Sequence, residues 1–176
     1  DVVVHDSLVS PDVLAVAAGA ELIFAGKRAG QPSMKQEAIS AVLIRLAREN
    51  RRVLRLKGGD PYIFGRGGEE ALARAQEGIP FRVLPAVTSG FGALAAAGIP
   101  ATMRGINKAV VLATGHSAED DEDLDWAALA RTGQPIVVYM GLRNMGRITE
   151  LMKSMAAHSV EEKKTRGAAI NAAKQA

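Results

Sequence analysis

The stretch Val53–Gln76, VLRLKGGDPYIFGRGGEEALARAQ, decides the fold. It opens on a short apolar run, Val53–Leu56, of the length and composition of a buried strand. KGGDPYIFGRGG then reads as a loop, because paired glycines and Asp-Pro punctuate the chain. EEALARAQ follows with helix-forming residues, its two acids in the first turn where the helix dipole favours them. A strand passing through a loop into a helix is one half of a βαβ unit.

The same alternation extends outward on both sides. Upstream, Val2–Val4 reads as a strand, and Pro11 opens a helix to about Ala18, a good place for a residue without an N–H. Glu21–Phe24 is a second strand. Ser33 and Gln36 have the spacing of a capping box, and Ile39, Val42, Leu43 and Leu46 follow at helical spacing to about Asn50. Downstream, Phe81–Leu84 reads as a fourth strand, and Thr88 opens an Ala-rich helix to about Ala97. Strands separated by helices predict an α/β lobe with a parallel sheet covered on both faces. Ligands of such sheets bind beyond the carboxyl ends of the strands. HDSLVS, AGKRAG, KGGDP and PAVTSG therefore belong to one rim.

After Gly98 the polar stretch IPATMRGINK reads as a linker, giving lobes of 1–104 and 105–176. The second lobe shows strands at Val110–Ala113 and Ile136–Tyr139, an acidic loop SAEDDEDLD, and a helix from about Asn144 to Ala156. Two strands make a poor core, so this mixed α/β lobe is expected to be incomplete. The chain also opens directly on a strand, which leads us to expect preceding sequence.

Composition narrows the function. The 176 residues contain no Cys and three His, His5, His116 and His158, spaced far apart. That excludes disulfides, a thiol nucleophile and a thiolate metal site, and no metal site is expected. The formal charge of +3 is too small to argue for nucleic acid but suits a small anionic ligand. No apolar run reaches the roughly 20 residues of a membrane span, and no signal segment opens the chain, so a cytoplasmic protein is expected. GRGGEE fails the dinucleotide pattern at Glu70, and no Walker A loop occurs. KGGDP alone reads equally as a tight turn or as a ligand loop. Asp6 reads as a turn or cap carboxylate, and Lys27 with Arg28 as a solvated pair.

HDSLVSPDVL, FAGKRAG, RLKGGDPYIFGRGGEE, GIPFRVLPAVTSG, AGIP and VVYMGL occur here in one order. In that order they resemble the uroporphyrinogen-III C-methyltransferases, a branch of the tetrapyrrole methylases. The resemblance covers Asp1 to about Arg147. It implies a two-lobed enzyme using S-adenosylmethionine, with S-adenosylhomocysteine as product, that methylates uroporphyrinogen III to precorrin-2 for siroheme and cobalamin. By motif, it implies donor contacts at Gly58, Gly59, Asp60 and Ile63, at Thr88 and Ser89, and at Met140. Asp6 takes the place of a proton acceptor and Lys27 that of a proton donor. Arg28, Arg66 and Arg104 are candidates for the substrate's carboxylates, since Arg pairs bidentately with them. A homodimer is a further implication. The resembled family has a first strand with a Gly-rich donor loop ahead of VVVHD, and this sequence does not contain it. A later precorrin methyltransferase, or a non-catalytic ligand-binding or dimerisation fragment, are the alternative readings.

Overall fold

The computed structural model describes residues 1–26, 34–115 and 124–153. Two compact units divide the chain, Asp1–Ser89 and Gly90–Ala176. The break falls at Ser89, ahead of the linker expected after Gly98.

The first unit is a parallel sheet of β1 (Val2–His5), β2 (Glu21–Phe24) and β3 (Val53–Leu56), in the order β2-β1-β3. Val3 lies opposite both Leu22 and Leu54, so the three strands run in tight register. Between β1 and β2 comes α1 (Pro11–Ala15), whose N-cap Ser10 accepts from the Asp12 N–H. α2 (Gln36–Arg48) turns Ile39, Leu43 and Leu46 onto Val2 and Val4. These side chains, with Ile23 and Val53 beside them, form the core on one face of the sheet. α3 (Gly67–Gln76) follows β3.

One expectation for this unit is corrected. Phe81–Leu84 joins no ladder, so among the described residues the sheet has three strands rather than four. A cleft of about 490 Å³, walled by Leu54 and Leu56 on one side and Phe81, Val83 and Leu84 on the other, separates the segment from β3. A β-like sequence makes a strand only where an open edge lies about 4.8 Å away. On the face away from α2 the central Val3 is buried, while Leu22 and Leu54 on either side of it are 48% and 46% exposed. Ser33 of the expected capping box lies outside the described residues; the N-cap of α2 is Lys35, and Gln36 is already helical. Gln36 instead spends its side chain on a buried carboxylate described below.

In the second unit β4 (Val111–Thr114) pairs in parallel with β5 (Ile136–Tyr139). α5 (Trp126–Arg131), capped by Asp125, and a helix over 145–153 close one face around Ala113, Trp126 and Ile148. The acidic loop reading had hidden α5, although Asp125 two residues before a run of alanines is an N-cap pattern. α4 (Ser89–Ala96) brings Gly90 against Tyr139 and Val137. A side chain there would collide with the Tyr139 ring, so the helix depends on a glycine at its contact.

Candidate active site

The carboxyl ends of β1, β2 and β3 open on one rim of the first unit, and the glycines there explain how closely its loops approach. A Cβ on Gly26 would stand 2.6 Å from the Ser7 nitrogen, and one on Gly58 2.7 Å from the Leu8 Cβ. Real Cβ atoms do not come so close, so the loops after β2 and β3 reach the turn after β1 only as bare backbone. Gly59 adopts φ +78°, a left-handed conformation that costs other residues more. Its empty side faces Ser89 N and Val87 O.

Asp60 fixes this junction. One carboxylate oxygen accepts from the Tyr62 N–H at 2.8 Å and the other from the Ala86 N–H at 3.0 Å. The Ala86 bond, then the Tyr62 bond, holds the carboxyl below its ordinary range, against the opposing effect of desolvation. Ile63 closes the turn by donating its N–H to the Asp60 carbonyl at 3.3 Å. Thr88 is buried beside this junction at the end of the segment. Phe64 and Arg66 also take left-handed φ values. Such backbone in non-glycine residues concentrates at binding sites.

Asp6 ends β1. Its Oδ1 accepts from the Leu8 N–H at 2.9 Å, and its Oδ2 lies 3.9 Å from Arg55 Nη2. His5 beside it packs edge-on against Phe24, with ring centroids 5.5 Å apart. Its Nδ1 sits 3.1 Å from the Asp6 carbonyl.

Beneath the rim lies a cluster that the sequence motifs left unnoticed. Glu70, 1% exposed, receives Arg55 Nε at 3.2 Å, Lys57 Nζ at 3.1 Å and Gln36 Nε2 at 3.1 Å. Burial pushes its pKa up, but the charges of Arg55 and Lys57 and the hydrogen bonds from Lys57 and Gln36 outweigh it and leave the pKa lowered. Arg55 also donates to the Val4 and Leu56 carbonyls. The signal in the sequence is the R-L-K alternation of β3, which puts both cations on one face.

The remaining expected residues are distributed as follows. Arg66 is an exposed N-cap whose guanidinium grips Glu69 at 2.8 and 2.6 Å, a pairing that raises its own pKa and lowers that of Glu69. Arg104 is exposed in a turn of the second unit. Met140 follows β5 with φ +52° and is 60% exposed. Lys27 and Arg28 lie outside the described residues, as do His116 and His158. Among the described residues no group of three acidic or imidazole side chains could hold a metal ion. No helix among them is long and apolar enough to cross a membrane.

The profile of the Tetrapyrrole (Corrin/Porphyrin) Methylases matches residues 1–173. The chain belongs to this family. As a tetrapyrrole methylase it is 51% identical over 152 residues to a uroporphyrinogen-III C-methyltransferase of Sinorhizobium, covering 85% of this chain and 54% of that protein. It is 53% identical over 151 residues to siroheme synthase 1 of Yersinia pseudotuberculosis, covering 85% of this chain and 32% of that one. Among solved structures, uroporphyrin-III C-methyl transferase of Thermus thermophilus, complexed with S-adenyl homocysteine, superposes with a TM-score of 0.71. The two are 39% identical over 88% of this chain and 64% of the other. This tetrapyrrole methylase therefore spans about half the length of the first of these relatives and a third of the second. The match supports the α/β fold read from the sequence.

Proposed function

We propose that the chain is the methyl-transfer part of an S-adenosylmethionine-dependent uroporphyrinogen-III C-methyltransferase. It would methylate two pyrrole carbons to give precorrin-2, on the route to siroheme and cobalamin. The observation that carries this reading is the junction at Gly58, Gly59 and Asp60, where the loops after β1 and β3 and the segment through Ala86 close on one another. A relative 39% identical carries the donor's product.

The residues fit the donor. Gly58 and Gly59 bring the loop after β3 to the rim as bare backbone, and Asp60 is held in one position by two backbone N–H groups. Fixed backbone of this kind suits a ligand whose amino acid and ribose groups need hydrogen bonds. When bound, S-adenosylmethionine supplies a methyl group on a sulfonium, already activated for displacement. The chain then has to orient the two reactants and exclude water. Attack by a pyrrole carbon leaves the ring cationic and it must lose a proton. Asp6 Oδ2 takes that proton in this reading, since Oδ1 is already engaged with the Leu8 N–H. Lys27 acts as the proton donor, and Ile63, Thr88, Ser89 and Met140 complete the donor contacts.

Arg28, Arg66 and Arg104 meet the carboxylates of the substrate. Arg66 must leave Glu69 to do so, and an exposed ion pair of that kind is worth only about 0–1 kcal/mol. We place the enzyme in the cytoplasm as a homodimer.

Calorimetry with S-adenosylhomocysteine and incubation with methyl-labelled donor and uroporphyrinogen III test the reading. Saturable binding and two labelled methyl groups per ring are expected. Absence of binding would overturn the donor site, and binding without transfer would identify a ligand-binding fragment.

A further inference from the structure

We infer that Glu70 is the positioning residue of the rim, holding the loops after β1 and β3 in register from below through Arg55 and Lys57, with Gln36 as a third donor. The inference rests on the reading of the rim as the donor and methyl-transfer site. Lys57 is the residue before Gly58, so its 3.1 Å bond to Glu70 tethers the start of the glycine loop. Arg55 forks, with Nε on Glu70 at 3.2 Å and Nη2 facing Asp6 at 3.9 Å. Gln36, the first residue of α2, donates to the same oxygen at 3.1 Å.

All three donors converge on Glu70 Oε1. The carboxylate is buried, Arg55 and Lys57 are about 10% exposed, and Asp6 is 22% exposed. Two cations and two carboxylates meet here, and the Arg74 guanidinium of α3 adds its charge beside Glu70 and Arg55. Removing the Glu70 charge leaves Arg55 with Asp6 as its carboxylate partner, and Arg55 can then swing toward Asp6. Lys57 loses its tether at the same time. A buried, fully engaged network of this kind has one low-energy arrangement, which is what a site with sub-ångström tolerances needs.

Amide hydrogen exchange on the full chain reads the effect without any ligand. The Leu8 N–H reports Asp6, and the Tyr62 and Ala86 N–H groups report Asp60, because each is held by that side chain. In Glu70→Gln all three should exchange about tenfold faster, the scale of one lost charge-assisted contact. The amides of Val3 and Leu43, in the core below, open only with the whole unit and report the global stability that the variant loses. Arg55→Lys should loosen Leu8 and spare Tyr62, while Lys57→Met should do the reverse. These two variants also decide the matter if Glu70→Gln fails to fold. Unchanged rates at the three rim amides, or equal rises at Leu8 and Tyr62 in both Arg55→Lys and Lys57→Met, would overturn the inference and leave Glu70 a core-stabilising residue. A parallel titration with S-adenosylhomocysteine should show about tenfold weaker binding by Glu70→Gln. If the wild-type chain binds none, the donor reading fails while the exchange pattern still judges the positioning role.

Discussion

Gly58 and Gly68 separate two uses of glycine that the sequence cannot distinguish. A methyl group on Gly58 would meet the Leu8 Cβ at 2.7 Å, an atom at the base of its side chain that cannot swing away. Gly68 lies in the first turn of α3 with nothing within 4 Å of its missing Cβ. Gly58→Ala should therefore cost about 1–3 kcal/mol, as overpacking does, whereas Gly68→Ala should stabilise by up to about 1 kcal/mol. Urea denaturation of both variants checks the pair, and equal effects would contradict the close approach of the two loops. Asp60→Ala belongs to the same scale. It removes the acceptor of two backbone N–H groups, so the glycine loop should no longer hold its shape against residues 86–89. Affinity for S-adenosylhomocysteine should fall by about tenfold or more in calorimetry.

At the scale of elements, β2, β3 and β5 were legible to the residue because each is a four-residue stretch with at least three apolar residues between turn signals. The buried stripe of α2 was equally plain, since Ile39, Leu43 and Leu46 repeat at helical spacing. Phe81–Leu84 shows where such reading stops. Its composition is that of a strand, but a ladder needs a neighbouring edge, and neighbourhood is not written in a four-residue run. What anchors the segment is instead the Arg74 guanidinium 5.0 Å from the centre of the Phe81 ring, a contact between elements. At the site, Gly58, Gly59 and Asp60 were found by motif, while Glu70 was read as a dipole-favoured acid and its burial was missed. Helical surface and helical core acids look alike until the packing partner is known. The unpaired state of Phe81–Leu84 predicts fast amide exchange at Arg82 and Val83, many-fold faster than at Val3 and Val4 in β1. Protection equal to that of β1 would mean that the segment has found a strand partner.

At the scale of the whole chain, the acids of the first unit set its tolerance to pH. Glu70 and Glu69 are held below an ordinary value of 4.5, and Asp60 below 3.8. A carboxylate whose pKa is lower folded than unfolded stabilises fully above its unfolded value, and the contribution disappears as pH falls through the folded one. Stability of this unit should thus be flat with respect to these groups from pH 8 to about 5, then decline in more acidic solution. Asp60 and Glu69 are open to solvent, so screening leaves them little weight. Glu70 dominates, because its protonation strands Arg55 and Lys57 without their shared anion in a nearly dry site. Removing one partner of a buried ion cluster costs about 3–5 kcal/mol. Glu70→Gln should accordingly lose stability at pH 7, yet show a decline below pH 4 shallower by up to about 1.4 kcal/mol per pH unit, the slope of one proton. The amide protection of α2 is the right probe, because the sole tryptophan, Trp126, reports the second unit. Parallel acid limbs for wild type and variant would place the acid-sensitive group elsewhere.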